Sequence, residues 1–188
     1  MIQTLVFFLE EPSAREMLKG VLPSIILDGI QIHYIVFQGK QDLEKQMVRK
    51  LRGWKTPDTF FVIMRDQDNG NCIEIKDNLV QKCRDAHRAE ILVRIACTEL
   101  ETFYLGDLEA VEQGLDIPGL SKKQRDRKFR DPDMLKKPSE ELRIITQDKY
   151  QKMSGSRAIG PYLRTDGSNL SCSFNVLMRG IRDIWGTG

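Results

Sequence analysis

Four times along the chain a short apolar run gives way to a stretch with helical spacing, and this alternation restricts the fold more than any other feature. Thr4 to Leu9 is a continuous apolar run bounded by charge, the pattern of a strand buried on both faces. Helical spacing follows at Met17, Leu18, Val21, Leu22, Ile25 and Ile26. Ser13 and Glu16 stand at capping-box separation, and Gly20 and Pro23 are placed to kink or shorten that helix. Ile30 to Phe37 alternates and is rich in β-branched residues, predicting a second strand. Asp42 is a candidate cap for a helix whose Leu43, Met47 and Leu51 share one face. After the turn signal Pro57-Asp58, Phe60 to Met64 repeats the buried-strand pattern and stops at Arg65-Asp66. Leu79, Val80, Cys83 and Ala86 predict a third helix, Ile91 to Ala96 a fourth strand, and Leu100, Tyr104 and Leu108 a fourth helix. The order predicts an α/β fold with a largely parallel central sheet and helices on both faces.

The 188 residues suit one domain, residues 1–188, with a charged loop or insertion over 114–137 and a final amphipathic helix carrying Phe174, Leu177, Met178, Ile181, Ile184 and Trp185. With 40% apolar and 30% charged residues the chain is neither a disordered tail, a collagen-like repeat nor a coiled coil. A net charge of +2 names no partner, so any nucleic-acid surface must be a local patch. Its apolar runs fall short of the roughly twenty residues a membrane span needs. No basic segment precedes the first run and Glu10-Glu11 follows it, so the expected location is cytoplasmic, without a membrane partner. Cys72, Cys83, Cys97 and Cys172 form no CxxC pair and read as reduced packing residues.

In open α/β sheets chemistry gathers at the carboxyl ends of the strands. Here those ends are acidic: Glu10 and Glu11 follow the first strand, Asp66 and Asp68 the third, Glu99 and Glu101 the fourth. Brought together in a partly desolvated cleft, like charges from three strands repel unless cations neutralise them. All-oxygen ligands select hard ions such as Mg²⁺ or Mn²⁺ over zinc. Asp66-Gln67-Asp68-Asn69-Gly70 is not an EF-hand loop, because its Gly falls one place early and position twelve is Asp77. Each pair also has a plainer reading: Asp66-x-Asp68 as a solvated turn, Glu10-Glu11 and Glu99-x-Glu101 as acids at helix N-termini. Their conjunction after consecutive buried strands favours a shared metal site.

A buried strand ending in Glu, then a helix, then a later strand ending in D-x-D resembles the Toprim domain of topoisomerases, bacterial primases and nucleases of the overcoming-lysogenisation-defect type. More closely, the blocks Leu9-Glu10-Glu11-Pro12-Ser13, Gly39-Lys40-Gln41-Asp42-Leu43, Arg65-Asp66-Gln67-Asp68, Arg94 to Glu101 with Tyr104-Leu105-Gly106-Asp107, and Ser154 to Pro161 resemble a Toprim-like family of small bacterial proteins. Members of that family are often encoded beside an ABC-type ATPase in phage-defence-type loci. The resemblance implies a Toprim-like fold, an ATPase partner, and a nuclease site. In that site Glu10 takes the Toprim glutamate role, Asp66 and Asp68 the metal pair, and Glu99 and Glu101 further acidic positions. Glu11 stands where Gly is usual, and Ala14 where the nuclease branch carries an acid, which weakens the case for a complete second metal site.

The reaction so implied is Mg²⁺- or Mn²⁺-dependent phosphodiester hydrolysis of DNA or RNA. Lys152 and Arg157, flanking a turn at Gly155, are candidates for the positive groups that the transition state needs, with surface charge beside a loop as the plainer reading. Lys122, Lys123, Arg125, Arg127, Lys128 and Arg130, with Lys136 and Lys137, outnumber three acids in the same stretch. That stretch could serve as a nucleic-acid surface, a solvated loop or a docking surface for an acidic partner. His33 and His87 receive no role. A non-catalytic module that binds nucleic acid or an ATPase, and a pure protein-interaction or toxin-like subunit, are the competing readings.

Overall fold

The computed structural model describes residues 2–185. Strands β1 (Thr4–Leu9), β2 (Gln31–Val36), β3 (Thr59–Asp66) and β4 (Ile91–Ala96) form a four-stranded, all-parallel sheet in the order β2-β1-β3-β4. The alternation of side chains along a strand divides the core into two layers. Leu5, Phe7 and Leu9 of β1 pack with helices α1 (Pro12–Val21), α5 (Leu108–Leu115) and α8 (Cys172–Asp183). Val6 and Phe8 face α2 (Lys40–Gly53) and α3 (Cys72–Asp85). All five of these β1 side chains are 0% exposed, each contributing about 1.5–3 kcal/mol of burial free energy. The sequence pattern of a doubly covered parallel sheet is therefore met by an α/β fold with helices on both faces.

Several boundaries differ from the expected ones. Ser13 and Glu16 make no capping box. Pro12 opens α1, so Ser13 lies inside the helix and hydrogen-bonds Glu11, while Glu16 accepts from Arg15 and Arg157. The helix ends at Val21, and a short 3₁₀ turn, Leu22–Ser24, carries Pro23. Asp42 is not the cap of α2. Gly39, at φ 90°, holds that position, a conformation that favours a residue without Cβ, and Asp42 reaches back to accept from the Gln38 N–H at 3.0 Å. The third helix begins earlier than its apolar spacing indicates, at Cys72, because Asn71 accepts from the N–H groups of Ile73 and Glu74.

The predicted fourth helix is two: α4 (Glu101–Leu105) and α5 are separated at Gly106-Asp107. Asp107, fully buried, accepts from Ala110 N–H and from the Arg164 backbone and guanidinium. Beyond α5 the chain runs through three short 3₁₀ turns, Leu120–Arg125, Arg127–Phe129 and Pro132–Met134. They are anchored by buried Leu120 and Phe129, and α6 (Pro138–Ile145) and α7 (Lys152–Ile159) follow. Ser154-Gly155-Ser156 lies within α7 rather than in a turn. Among the described residues, no helix is long and apolar enough to cross a membrane.

Candidate acidic centre at the carboxyl ends of the strands

Connections from β1 lead to β2 on one side, and β3 lies on the other, so the chain's direction of travel reverses between β1 and β3. A crevice opens outside the strand ends at such a point. Glu10 is the first residue past β1 and Asp66 the last of β3. Glu10 Oε2 accepts from the Asp66 backbone N–H at 3.1 Å and ties the two ends together. The loops after β3 and β4 are joined by Gln67 N–H to Ala96 O and Asp68 N–H to Thr98 O, at 2.9 and 2.7 Å.

Asp66 is only 9% exposed. Its carboxyl is pushed well above the usual carboxylate range, first by burial and then by the charges of Glu11, Glu101 and Glu10. Glu10 is raised chiefly by burial, opposed by the Asp66 N–H and Arg65 and reinforced by Asp68 and Glu11. Glu101, fully buried, is also raised by burial, with Lys152 opposing and Glu11 adding to the shift. Four acids from three strand ends thus sense one another. Glu101 Oε1 accepts from the Tyr150 hydroxyl at 3.0 Å, whereas Oε2 is buried with no partner.

Basic side chains face these acids. Lys152, the first residue of α7, lies 3.3 Å from Glu11 Oε2 and 4.0 Å from Glu101 Oε1. Burial pulls its pKa down, but Glu101 and Glu11 outweigh that and leave it raised. Lys40 holds Asp68 at 2.7 Å. The buried guanidinium of Arg65 donates Nε to the Asp66 carbonyl and Nη1 to Glu44 at 2.6 Å. It also lies 3.8 Å from Glu10 and 3.7 Å from Asp68. Sequence reading gives Arg65, Lys40 and Tyr150 no role. An arginine directly before D-x-D at the end of a buried strand was the available signal for the first. For Lys40 the signal was its place after a helix-opening glycine, and for Tyr150 there was none.

Glu10, Glu11, Asp66 and Glu101 are therefore brought together, with Asp68 at the margin beside Lys40 and Arg65. Glu99 is turned elsewhere: its Oε2 accepts from Ser139 N–H at 2.8 Å in the first turn of α6. Arg157 is bound to Glu16 at 2.8 Å, between α7 and α1. Lys122, Lys123, Arg125, Arg127, Lys128 and Arg130 are all solvent-exposed, with Lys128 paired to Glu141 at 2.6 Å. His33 packs edge-on against Trp54, with ring centroids 5.6 Å apart.

The chemistry of the central donors fits a hard divalent cation: they are all oxygen, their charges repel, and one buried oxygen lacks a partner. The resting side-chain positions do not form a finished cage, since no three acidic, histidine or cysteine side chains among the described residues are arranged to hold a metal ion.

Sheet order and parallel pairing define an α/β domain with a Toprim-like fold, and the acidic crevice lies at its switch point. The chain belongs to the family described as domain of unknown function DUF4276, which matches residues 9–182. No curated protein matches it. Among solved structures it is similar to the C-terminal region of the Burkholderia pseudomallei OLD protein, with a TM-score of 0.58 and 15% identity over 95% of this chain and 97% of that one. That likeness extends across the whole fold.

Proposed function

We propose that this chain is a Mg²⁺- or Mn²⁺-dependent nuclease subunit that hydrolyses phosphodiester bonds in DNA or RNA. In this reading it works in the cytoplasm beside an ABC-type ATPase in a phage-defence-type system. The observation that carries the reading is the convergence of Glu10, Glu11, Asp66 and Glu101 at the switch point, with the carboxyls of Glu10, Asp66 and Glu101 raised by burial and mutual repulsion. A cation there would be held by Glu10, Asp66 and Glu101, with Glu11 and Asp68 adjoining. It would polarise a phosphoryl oxygen and acidify an attacking water.

The protein's own groups have separate tasks. The Asp66 N–H orients Glu10, the Tyr150 hydroxyl orients Glu101, and Arg65 fixes the strand end from beneath. Lys152 carries the positive charge available to a developing oxyanion. Arg157, engaged by Glu16, acts through the packing of α7 on α1. The exposed basic stretch from Lys122 to Arg130 serves to bind the phosphate backbone.

Cleavage of DNA and of RNA is measured with and without Mn²⁺, for the wild type and Asp66→Asn, alone and with the ATPase partner. Mn²⁺-dependent cleavage lost in Asp66→Asn is expected, and equal cleavage by both proteins refutes the reading. The unfinished cage and the Lys152 ion pairs favour one second reading, a nucleic-acid- or ATPase-binding module without turnover. It predicts binding that does not respond to Mn²⁺.

A further inference from the structure

The sheet ends at β4, and its outer edge is open. Central strands β1 and β3 are buried over almost their whole lengths, whereas Ile91, Leu92, Arg94 and Ile95 of β4 stay half-buried. Phe61 N–H bonds to Glu90 O, and Gln67 N–H bonds to Ala96 O. In a parallel pair the bonding residues alternate, so the backbone groups of Ile91, Val93 and Ile95 point away from β3. The chain satisfies part of that row: Ile91 N–H turns to Ala89 O, and the Val93 carbonyl accepts from Arg94 Nη1. The N–H groups of Val93 and Ile95 and the Ile95 carbonyl remain directed outward.

Two cavities run along this edge, one of about 330 Å³ between α3 and β4 and one of about 440 Å³ that reaches from α3 across to α8. They share Lys76, Val93 and Arg94, which makes them one groove. Its floor is the free edge and its rim includes Ile73, which is 67% exposed. Unprotected, apolar sheet edges template further strands, and a groove with a backbone floor is the form that strand addition uses.

Charge says what enters. Lys76, Arg84, Arg88 and Arg94 line the groove, and none of the four forms a salt bridge among the described residues. Arg88 bonds only backbone carbonyls, of Leu51 and Trp54, and Arg94 those of Val176 and Val93. Of the two acids in the lining, Asp133 is spent on Ser171 and Ser173 at the start of α8, leaving Asp77 alone. A second copy of β4 would set these cations against themselves, whereas an acidic strand would neutralise them.

We infer that the edge of β4 binds an extended, acidic segment of a partner polypeptide, which adds to the sheet as a fifth strand. The test is fluorescence anisotropy with a labelled, end-capped peptide of four Val-Glu repeats against the full chain. Its controls are the Val-Lys counterpart and the Val-Glu peptide N-methylated at alternate residues. Val-Glu binding at least tenfold tighter than Val-Lys is expected, with at least tenfold weakening by Lys76→Glu or Arg84→Glu and loss on N-methylation. Both substituted positions are at least partly exposed, so the fold is not at stake. Equal affinity for both peptides, binding to neither, or indifference to N-methylation overturns the inference. So does a wild-type dimer in sedimentation whose stability changes with Arg84→Glu, because a second copy would then occupy the edge. Cleavage activity plays no part in the readout.

Discussion

Replacing Lys152 by Met removes the ammonium that faces Glu11 at 3.3 Å and Glu101 at 4.0 Å while keeping most of the length of the side chain. Breaking a fully buried pair costs about 3–5 kcal/mol. Here the lysine is 54% exposed and its partner Glu101 is not exposed at all, so solvent screening brings the expected loss to about 1–2 kcal/mol near neutral pH. The loss has a definite pH course. Glu101 and Asp66 have raised pKa values in the folded state, so as pH falls they take up protons before their unfolded counterparts, and the missing cation ceases to matter. Below about pH 4, the ordinary range of carboxyl groups, wild type and variant should unfold alike. Urea unfolding at pH 7.5 and pH 4 measures both quantities. A deficit of the same size at both pH values would refute the argument, because lost packing of the lysine stem, unlike lost charge, does not titrate.

Further perturbations separate charge from packing elsewhere. Asp66→Asn should stabilise the metal-free protein above about pH 5, since a carboxyl with a raised folded pKa gives up stability as pH rises from its unfolded value through the folded one. Urea midpoints that match wild type across the pH range would contradict this. Asp107→Ala leaves Arg164 and the first turn of α5 without their acceptor and should cost about 2–4 kcal/mol, lowering the melting temperature by about 5–15 °C. Gly155→Ala places a Cβ 2.4 Å from Tyr150 Cδ2 and should cost about 1–3 kcal/mol by overpacking, read in the same melts. If the basic stretch binds phosphates, reversing Lys122, Lys123, Arg125 and Arg127 together should flatten the salt dependence of nucleic-acid binding, by about 0.7–0.9 in log–log slope for each phosphate no longer neutralised.

The strands were legible because each is a local event. A doubly buried strand needs only a short unbroken apolar run, and β1 begins and ends where Thr4 to Leu9 indicates. The placement of Glu10, Asp66 and Glu101 at strand ends was legible for the same reason, since a strand end in an α/β sheet has a known destination. What sequence spacing could not show is decided by distant partners. Leu100, Tyr104 and Leu108 keep an unbroken four-residue interval, yet the helix divides beneath them because Arg164 and Ala110 claim Asp107. Glu99 and Glu101 are two apart and equally acidic. One caps α6 through Ser139 and the other is buried against Tyr150, a division set by segments 40 and 49 residues downstream. Arg157 looked like Lys152 in sequence and differs from it because α7 is a helix, which turns the two side chains to different partners, Glu16 and Glu11.

The acidic centre carries its own counterions. Arg65 lies by Glu10, Lys40 holds Asp68, and Lys152 spans Glu11 and Glu101. Among the described residues Asp66 alone of these acids has no basic side chain within 4.0 Å. The three cations are not equivalent. Arg65 is buried and bonded to a backbone carbonyl and to Glu44, so removing it would strand several groups at once. Lys40 and Lys152 are about half-exposed, each on the first residue of a helix, and water can take either ammonium at little cost. A divalent ion entering beside Asp66 would therefore compete with Lys152 and leave Arg65 in place. If so, Lys152→Met should bind Mn²⁺ more tightly than wild type does, and Mn²⁺ at a hundredfold excess over its Kd should add about 2.7 kcal/mol to the stability of the variant, more than offsetting the loss of the ammonium. Calorimetric titration of the two proteins decides the matter: weaker Mn²⁺ binding by the variant would mean that the lysine assists the ion rather than standing in for it.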